Sequence, residues 1–437
     1  MLMGLLMSGA IAAAGQPTDA QDSWRVSGSA RARGETLSGQ FRPMAEPSDA
    51  VLTTRLTLAV ERDVGHVTFG GEVFDSRAFG QGPLSSVGVG EVNALELVQA
   101  YAKIRLGARR ERTLKLGRFT MDLGSKRFVS RQNFRNTTNA YTGARFDTPL
   151  ADGALTAFWV MPQVRLPDDR AAIEDNRIAW DRESSDLQFA GLFWTRDLGQ
   201  RRSLDLYVYG LTESDDADQQ TRNRRLATPG VRWRHSPAAG AWDVEVEAAA
   251  QVGQVRRSAS PADTQDVDVR AGFIHLEAGR TFAHDWSPRL AAQFDNVTGD
   301  GGRGDYGRFD TLYGARRFEF GPAGLYGPVS RANLVSPGVR LEVKPDRKLD
   351  GFVAVRGLWL EDARDSLGAT GVIDPSSDSG RFGGTQIEAR VRYKLTPDVT
   401  LETGGARLFK GGALTDAPNA PATADTTYGY VDVTYAF

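Results

Sequence analysis

From residue 23 onward the chain alternates apolar and polar residues with period two, segment after segment. In 385–395 the odd positions are Thr385, Ile387, Ala389, Val391, Tyr393 and Leu395, and the even ones include Gln386, Glu388, Arg390, Arg392 and Lys394. Successive side chains of a strand point to opposite faces, so this segment has one apolar and one charged face. The stretch 242–252 repeats the pattern, with Trp242, Val244, Val246, Ala248, Ala250 and Val252 against Asp243, Glu245, Glu247 and Gln251. Segments of about ten residues with this pattern are long enough to cross a bilayer at a slant. After residue 14 no apolar run approaches the roughly 20 residues of a membrane helix. If this chain lives in a membrane, it crosses with strands.

The pattern predicts about eighteen strands, near 24–35, 51–61, 66–76, 94–106, 112–119, 141–148, 153–162, 186–196, 202–213, 227–235, 241–255, 265–281, 288–298, 332–344, 347–360, 383–395, 399–409 and 427–437. Their connections alternate in kind. Short turns fall at 62–65, 107–111, 149–152, 197–201, 236–240, 283–287, 345–346 and 396–398. Long Gly-, Asp- and Ser-rich loops, such as 77–93, 120–140, 163–185, 299–331 and 361–382, lie between them. Short turns at one end and long loops at the other are the signature of a bacterial outer-membrane barrel. A sandwich or propeller has no reason for such alternation. The expected fold is therefore all-β: a single transmembrane antiparallel β-barrel over 24–437, with short periplasmic turns and long extracellular loops.

Both ends of the chain agree with this. The segment 2–14 reads LMGLLMSGAIAAA, the length of a signal-peptide core and too short to span a bilayer, so 1–20 is expected to be a cleaved signal peptide. The chain has no cysteine, which excludes disulfide frameworks and thiolate metal sites and suits passage through an oxidising compartment. The last segment, TYGYVDVTYAF, sets Gly429, Val431, Val433, Tyr435 and Phe437 on one face. A final strand of this kind ending in an aromatic resembles the signal read by the barrel-assembly machinery of Gram-negative bacteria. Outer-membrane lipid and that machinery, through Phe437, are the expected partners.

Enzymatic chemistry finds little support. The four histidines, His66, His235, His275 and His284, show no metal-ligand spacing. There is no G-x-S-x-G, and no segment assembles Ser, His and Asp. Acidic pairs such as Asp168-Asp169 and Asp215-Asp216 read as solvated loop charges. The sequence GDGGRGDYG at 299–307 superficially resembles calcium repeats but occurs once, so a flexible loop is the better reading. No cofactor is expected. With 53 basic against 55 acidic residues, nothing draws the chain as a whole toward nucleic acid.

Function should then reside on the charged strand faces, and these are rich in arginine: Arg25, Arg31, Arg33, Arg55, Lys103, Arg105, Arg145, Arg232, Arg234, Arg340, Arg356, Arg390, Arg392 and Lys394. Rings of Arg and Lys in a pore favour anions, and the guanidinium fork suits carboxylates. The blander role is to pair with inward acids such as Glu35, Glu61, Glu245 and Glu388 and brace the barrel.

The stretch 117–147, GRFTMDLGSKRFVSRQNFRNTTNAYTGARFD, is similar to the signature of the alginate-export family of outer-membrane porins. The matching residues are Gly117-Arg118, Asn136-Thr137, Ala140-Tyr141, Gly143 and Arg145. A second similar stretch is QFDNVTGD (293–300), followed by FDTLYGARRFEF. The resemblance implies an eighteen-stranded barrel with an arginine-lined constriction passing an anionic polysaccharide, and it offers Arg118, Arg131, Arg135 and Arg145 for that constriction. Their structural alternative is to anchor loop 120–140 through acids such as Asp122 and Asp147. The family's exporter has an extended late periplasmic turn, whereas the turn at 396–398 is minimal, which argues against a periplasmic plug. Arg31, Arg33, Arg105, Arg390, Arg392 and Lys394 complete the expected pore lining. The first reading is a channel for anionic polysaccharide or small anions. The alternative is a general or sugar-specific diffusion porin without a secretion role, and a third is an adhesive barrel working through its loops.

Overall fold

The computed structural model describes residues 23–216, 219–302, 304–315 and 319–437; the expected signal segment lies outside them. Eighteen strands follow one another: β1 (Trp24–Ser38), β2 (Ser48–Val64), β3 (Val67–Phe79), β4 (Asn93–Leu106), β5 (Arg112–Phe119), β6 (Tyr141–Leu150), β7 (Gly153–Pro162), β8 (Leu187–Gly199), β9 (Arg202–Glu213), β10 (Arg225–His235), β11 (Trp242–Arg256), β12 (Asp266–Thr281), β13 (Arg289–Val297), β14 (Leu334–Val343), β15 (Leu349–Trp359), β16 (Phe382–Lys394), β17 (Val399–Lys410) and β18 (Thr426–Ala436). Each pairs antiparallel with its neighbours in sequence, and β18 pairs with β1 from Ser29↔Ala436 to Ser38↔Thr427. The sheet thus closes on itself and leaves no edge, the condition for β structure in lipid. Each of the eighteen expected segments is a strand.

Closure explains the two faces. Outward positions such as Leu52, Leu56, Leu58, Leu206, Val208, Val353 and Val355 are exposed, while their strand neighbours Thr53, Asp205, Tyr207 and Phe352 are buried inside. A cationic residue placed outward at the bilayer midplane would cost about 2–4 kcal/mol, which keeps that face apolar. Exposed aromatics gather where the wall meets the membrane surfaces: Trp24, Phe69, Trp242, Trp286, Tyr435 and Phe437 at the turn end, and Phe79, Trp159, Trp359, Phe382 and Phe409 at the loop end. Such girdles suit rings that are apolar in body and polar at the tip. Periplasmic turns are tight. Gly65, alone with His66 between β2 and β3, has φ +57°, and in the β14–β15 turn Asp346 Oδ1 accepts from Lys348 N at 2.6 Å and Leu349 N at 2.8 Å.

The long loops depart from expectation. They lie at the end expected to be extracellular, but they fold back into the bore. Loop 120–140 and loop 298–333 run side by side in a short parallel bridge at Val129↔Tyr313, with Tyr313 N donating to Phe128 O at 3.0 Å and Ala315 N to Lys126 O at 2.9 Å. The physical reason is apolar content: Phe128, Val129, Phe309, Phe320, Leu325, Tyr326 and Val329 are all nearly inaccessible to solvent. They pack on the inward faces of the strands, where Phe128 meets Phe273 at 5.4 Å and Tyr207 at 5.7 Å between ring centres. Segment 299–307, read above as flexible, is also pinned. Tyr306 pairs with Val269 of β12, and Asp300 binds Arg257 at 2.5 Å. Among the described residues two short helices occur in loops, α1 (Arg170–Glu174) and α2 (Gly412–Thr415). Asp169, read above as a solvated charge, caps α1 by accepting from Ala172 N at 2.9 Å.

Candidate functional site in the barrel interior

Loop 120–140 is held from below by guanidinium groups of the wall. Arg31 Nη1 donates to the carbonyls of Asn133 (3.2 Å) and Phe134 (3.1 Å), and its Nη2 to Asn136 Oδ1 (2.7 Å). Arg33 donates to Phe134 O at 2.8 Å and to Asp432 Oδ2 at 2.8 Å, with its guanidinium 3.8 Å from the Phe134 ring centre. Arg55 Nη1 adds bonds of 3.1 Å to the carbonyls of Asn133 and Arg135. Arg31 and Arg33 are therefore 4% and 3% exposed. Both were expected in the pore lining; in the structure Arg31 holds loop carbonyls and Asn136, and Arg33 holds Phe134 O and Asp432, so they fix where that loop lies.

The far end of the loop carries Arg127, which no sequence signal singled out. Its guanidinium donates to Glu319 Oε1 at 2.7 Å and to Glu245 Oε1 at 2.5 Å, and also pairs with Glu247. Arg331 completes the node, pairing with Glu319 and donating to Ala315 O at 2.6 Å. Burial works against charge on Glu319, but Arg127 and Arg331 overcome it and hold its carboxyl below the usual range. A neighbouring network runs along the wall: His275 Nδ1 lies 2.7 Å from Asp295, which Arg356 binds at 2.9 Å.

The remaining expected residues are dispersed. Arg118 pairs with Glu96 at 2.7 Å and Glu183 at 3.2 Å. Arg131 reaches Glu72 at 2.6 Å, while its backbone N–H donates to Asp122 at 2.8 Å. Arg135 bonds Asn139 Oδ1 at 2.7 Å within the loop. Arg145 pairs with Asp147 at 2.8 Å. Arg105 stands near the periplasmic rim with Asp63 at 3.3 Å. Arg390 and Arg392 approach Glu402 at 3.6 and 2.7 Å, and Lys394 is exposed at the rim. Asp147 pairs with Arg145 along β6 rather than with the loop, whereas Asp122 accepts from the Arg131 backbone N–H and pairs with Lys126 at 2.9 Å inside the loop.

Across β4, β5 and β6 the structure aligns three cations that the sequence reading did not group. Lys103 is the cross-strand partner of Lys115, and Lys115 of Arg145. Lys115 Nζ sits 3.5 Å from the centre of the Tyr101 ring, and among the described residues neither lysine forms an ion pair. Lys115 occupies an inward position of the run RTLKLGRF, and the period-two alternation is the signal that marks it. Two loop acids are also unusual. Burial, with Glu35 nearby, pushes the Glu91 carboxyl up to about 7, and burial, with Glu96 beside it, does the same for Asp181.

A family model described as alginate export matches residues 23–427. The chain belongs to the alginate export family. This alginate-export barrel is accordingly a channel of the bacterial outer membrane, in a family and among structural neighbours that are porins. Its architecture is similar to Pseudomonas aeruginosa OpdQ, at TM-score 0.60 and 11% identity, covering 95% of this chain and 97% of that one. It is also similar to P. aeruginosa OccK2 (OpdF), solved in complex with glucuronate, at TM-score 0.60 and 13% identity, covering 95% and 96%. Acinetobacter baumannii OccAB1 aligns at TM-score 0.59 and 11% identity, covering 94% and 96%. These identities speak for the fold alone. No curated protein matches the sequence.

Proposed function

We propose that this channel passes anionic saccharides, polymeric or small, along a bore whose cationic side is the row Lys103–Lys115–Arg145. The row itself carries the reading. Like charges directly opposite across strands repel, and in this row Asp147 offsets only Arg145, so the two lysines remain a standing cost. An anion in the bore offsets that cost, and its carboxylate meets two lysines with no ion-pair partner among the described residues. Arg118 and Arg131 lie further toward the loop end, where Glu96, Glu183 and Glu72 balance them. Acids elsewhere are largely engaged by arginines, as at Arg127 and Arg289, so the sign of the bore follows the unpaired lysines.

A second reading, a diffusion porin for small acids without a secretion role, draws on the inward loops, because a bore crossed by two packed loops suits single solutes. OccK2, of similar fold, was solved with glucuronate, which is a solute of that size class. Single-channel recording in a salt gradient tests the shared core: the parent should prefer anions, and Lys103→Gln/Lys115→Gln together with Arg145→Gln should reduce that preference. A cation-selective parent would sink both readings. Lasting block by polyuronate, against brief events with glucuronate, would separate small-solute diffusion from polymer passage.

A further inference from the structure

A separate cavity of about 230 Å³ opens near the loop end, between the wall of β10–β12 and loop 298–333. Its apolar lining is Leu226, Val255, Val269 and Phe309. Its charged lining is three guanidinium groups, Arg222, Arg224 and Arg308, and one carboxylate, Asp310.

These arginines are not equivalent. Arg224 is neutralised twice, by Asp310 at 2.7 Å and Glu213 at 2.6 Å. Arg308 is neutralised by Asp365 at 2.7 Å and donates to Ser366 O at 2.9 Å. Arg222 forms no ion pair among the described residues: its Nε donates to Arg256 O at 3.0 Å, and its guanidinium lies 4.6 Å from the Tyr306 ring centre. Tyr306 is itself fixed, its N–H donating to Asp268 O at 2.7 Å and its carbonyl accepting from Arg270 N at 3.0 Å. The cavity thus has hydrogen-bonded walls, an apolar part of its lining, and one guanidinium without an ion pair among the described residues.

The geometry points to a binding site for a single carboxylate-bearing sugar ring, such as a hexuronate, in this cavity. The carboxylate pairs with Arg222, and the ring lies beside the apolar lining of Leu226, Val255, Val269 and Phe309. The size sets the class of ligand: the cavity is smaller than the roughly 300–1,000 Å³ of sites for drug-sized ligands, so it takes one ring rather than a stretch of polymer. Lying behind loop 298–333 and away from the β4–β6 row, it holds an anion at the mouth before the bore. The choice of ligand rests on the anionic-saccharide reading above.

Calorimetric titration of glucuronate into the full barrel in detergent tests the site, with glucose as the neutral control. The Lys103→Gln/Lys115→Gln variant, run alongside, identifies heat from the bore row. Arg222→Gln should weaken the remaining binding at least tenfold, and Val255→Phe, which fills the cavity without touching its charge, should do the same. Heat-modifiable gel mobility checks that each variant is a folded barrel. Unchanged binding in both variants overturns the site, and with an anion-selective parent the transport reading then stands. Binding that depends on Arg222 in a cation-selective parent keeps the site and removes that reading.

Discussion

Arg127 and Glu319, 192 residues apart in sequence, meet at 2.7 Å inside the barrel and lock two inward loops to each other. Glu245 and Glu247 of β11 bind the same guanidinium, so the locked pair is also fastened to the wall. The bore of this channel is therefore set by an ion-pair node rather than by the strands alone.

Replacing Arg127 by Met should leave the buried Glu247 without a cation, while Glu245 keeps Arg232 and Glu319 keeps Arg331. Breaking a buried pair from one side costs about 3–5 kcal/mol. The loss should appear as release of loops 120–140 and 298–333 rather than as failure of the barrel, whose ladder is unaffected. Single-channel conductance should rise and become noisier, while heat-modifiable gel mobility stays that of a closed barrel. A conductance equal to the parent's would mean that the node does not hold the loops.

Gly314 allows the same crossing by having no side chain. A Cβ there would fall 1.6 Å from the Arg127 carbonyl oxygen, so Gly314→Ala must push the loops apart. Overpacking of this kind costs about 1–3 kcal/mol. Proteolysis of intact barrels should cut loop 298–333 faster in this variant than in the parent, and an unchanged rate would mean that the crossing tolerates a side chain.

Glu91 should make loop packing depend on pH. Its carboxyl, raised to about 7 by burial and by Glu35, binds a proton in the folded barrel that an exposed glutamate would release. Its stabilising contribution is therefore full below the ordinary glutamate range and is lost as pH rises through about 7. Arg42 and Arg135 partly oppose the shift. Thermal unfolding followed by circular dichroism should give a lower Tm at about pH 8.5 than at about pH 5.5, and Glu91→Gln should flatten the difference. Asp181 titrates in the same direction, so some slope should persist in that variant. A slope identical to the parent's would exclude Glu91 as its source.

Phe437 closes the seam between the first and last strands. Its backbone N–H donates to Gly28 O at 3.0 Å and its carbonyl accepts from Gly28 N at 3.0 Å, and the ring covers Gly28, where a Cβ would lie 2.4 Å from it. The ring is otherwise 58% exposed, so Phe437→Ala should cost little in the finished barrel. If the terminal aromatic is what the assembly machinery reads, the variant should accumulate unassembled in cells yet refold into detergent like the parent. Equal assembly in cells would show that the seam contact is its whole role.

The strands were legible because alternation is local. Whether Arg33 or Arg392 faces inward depends on the parity of its position in an apolar run, and lipid on one side with water and protein on the other enforces that parity along each strand. Closure followed as well, since sequential antiparallel pairing needs only short turns such as Gly65-His66 and a last strand that meets the first. What those inward arginines hold was not legible. Arg31 grips Asn133 and Phe134, about a hundred residues away, and Arg127 reaches Glu245, Glu247 and Glu319 on two other segments. Period-two patterning carries no record of such partners, because a loop has no period and folds inward only if its apolar residues find a wall to cover. The sequence alone determined a barrel with a charged interior. Which of those charges meet an anion and which hold the loops was decided by packing between residues far apart in the chain.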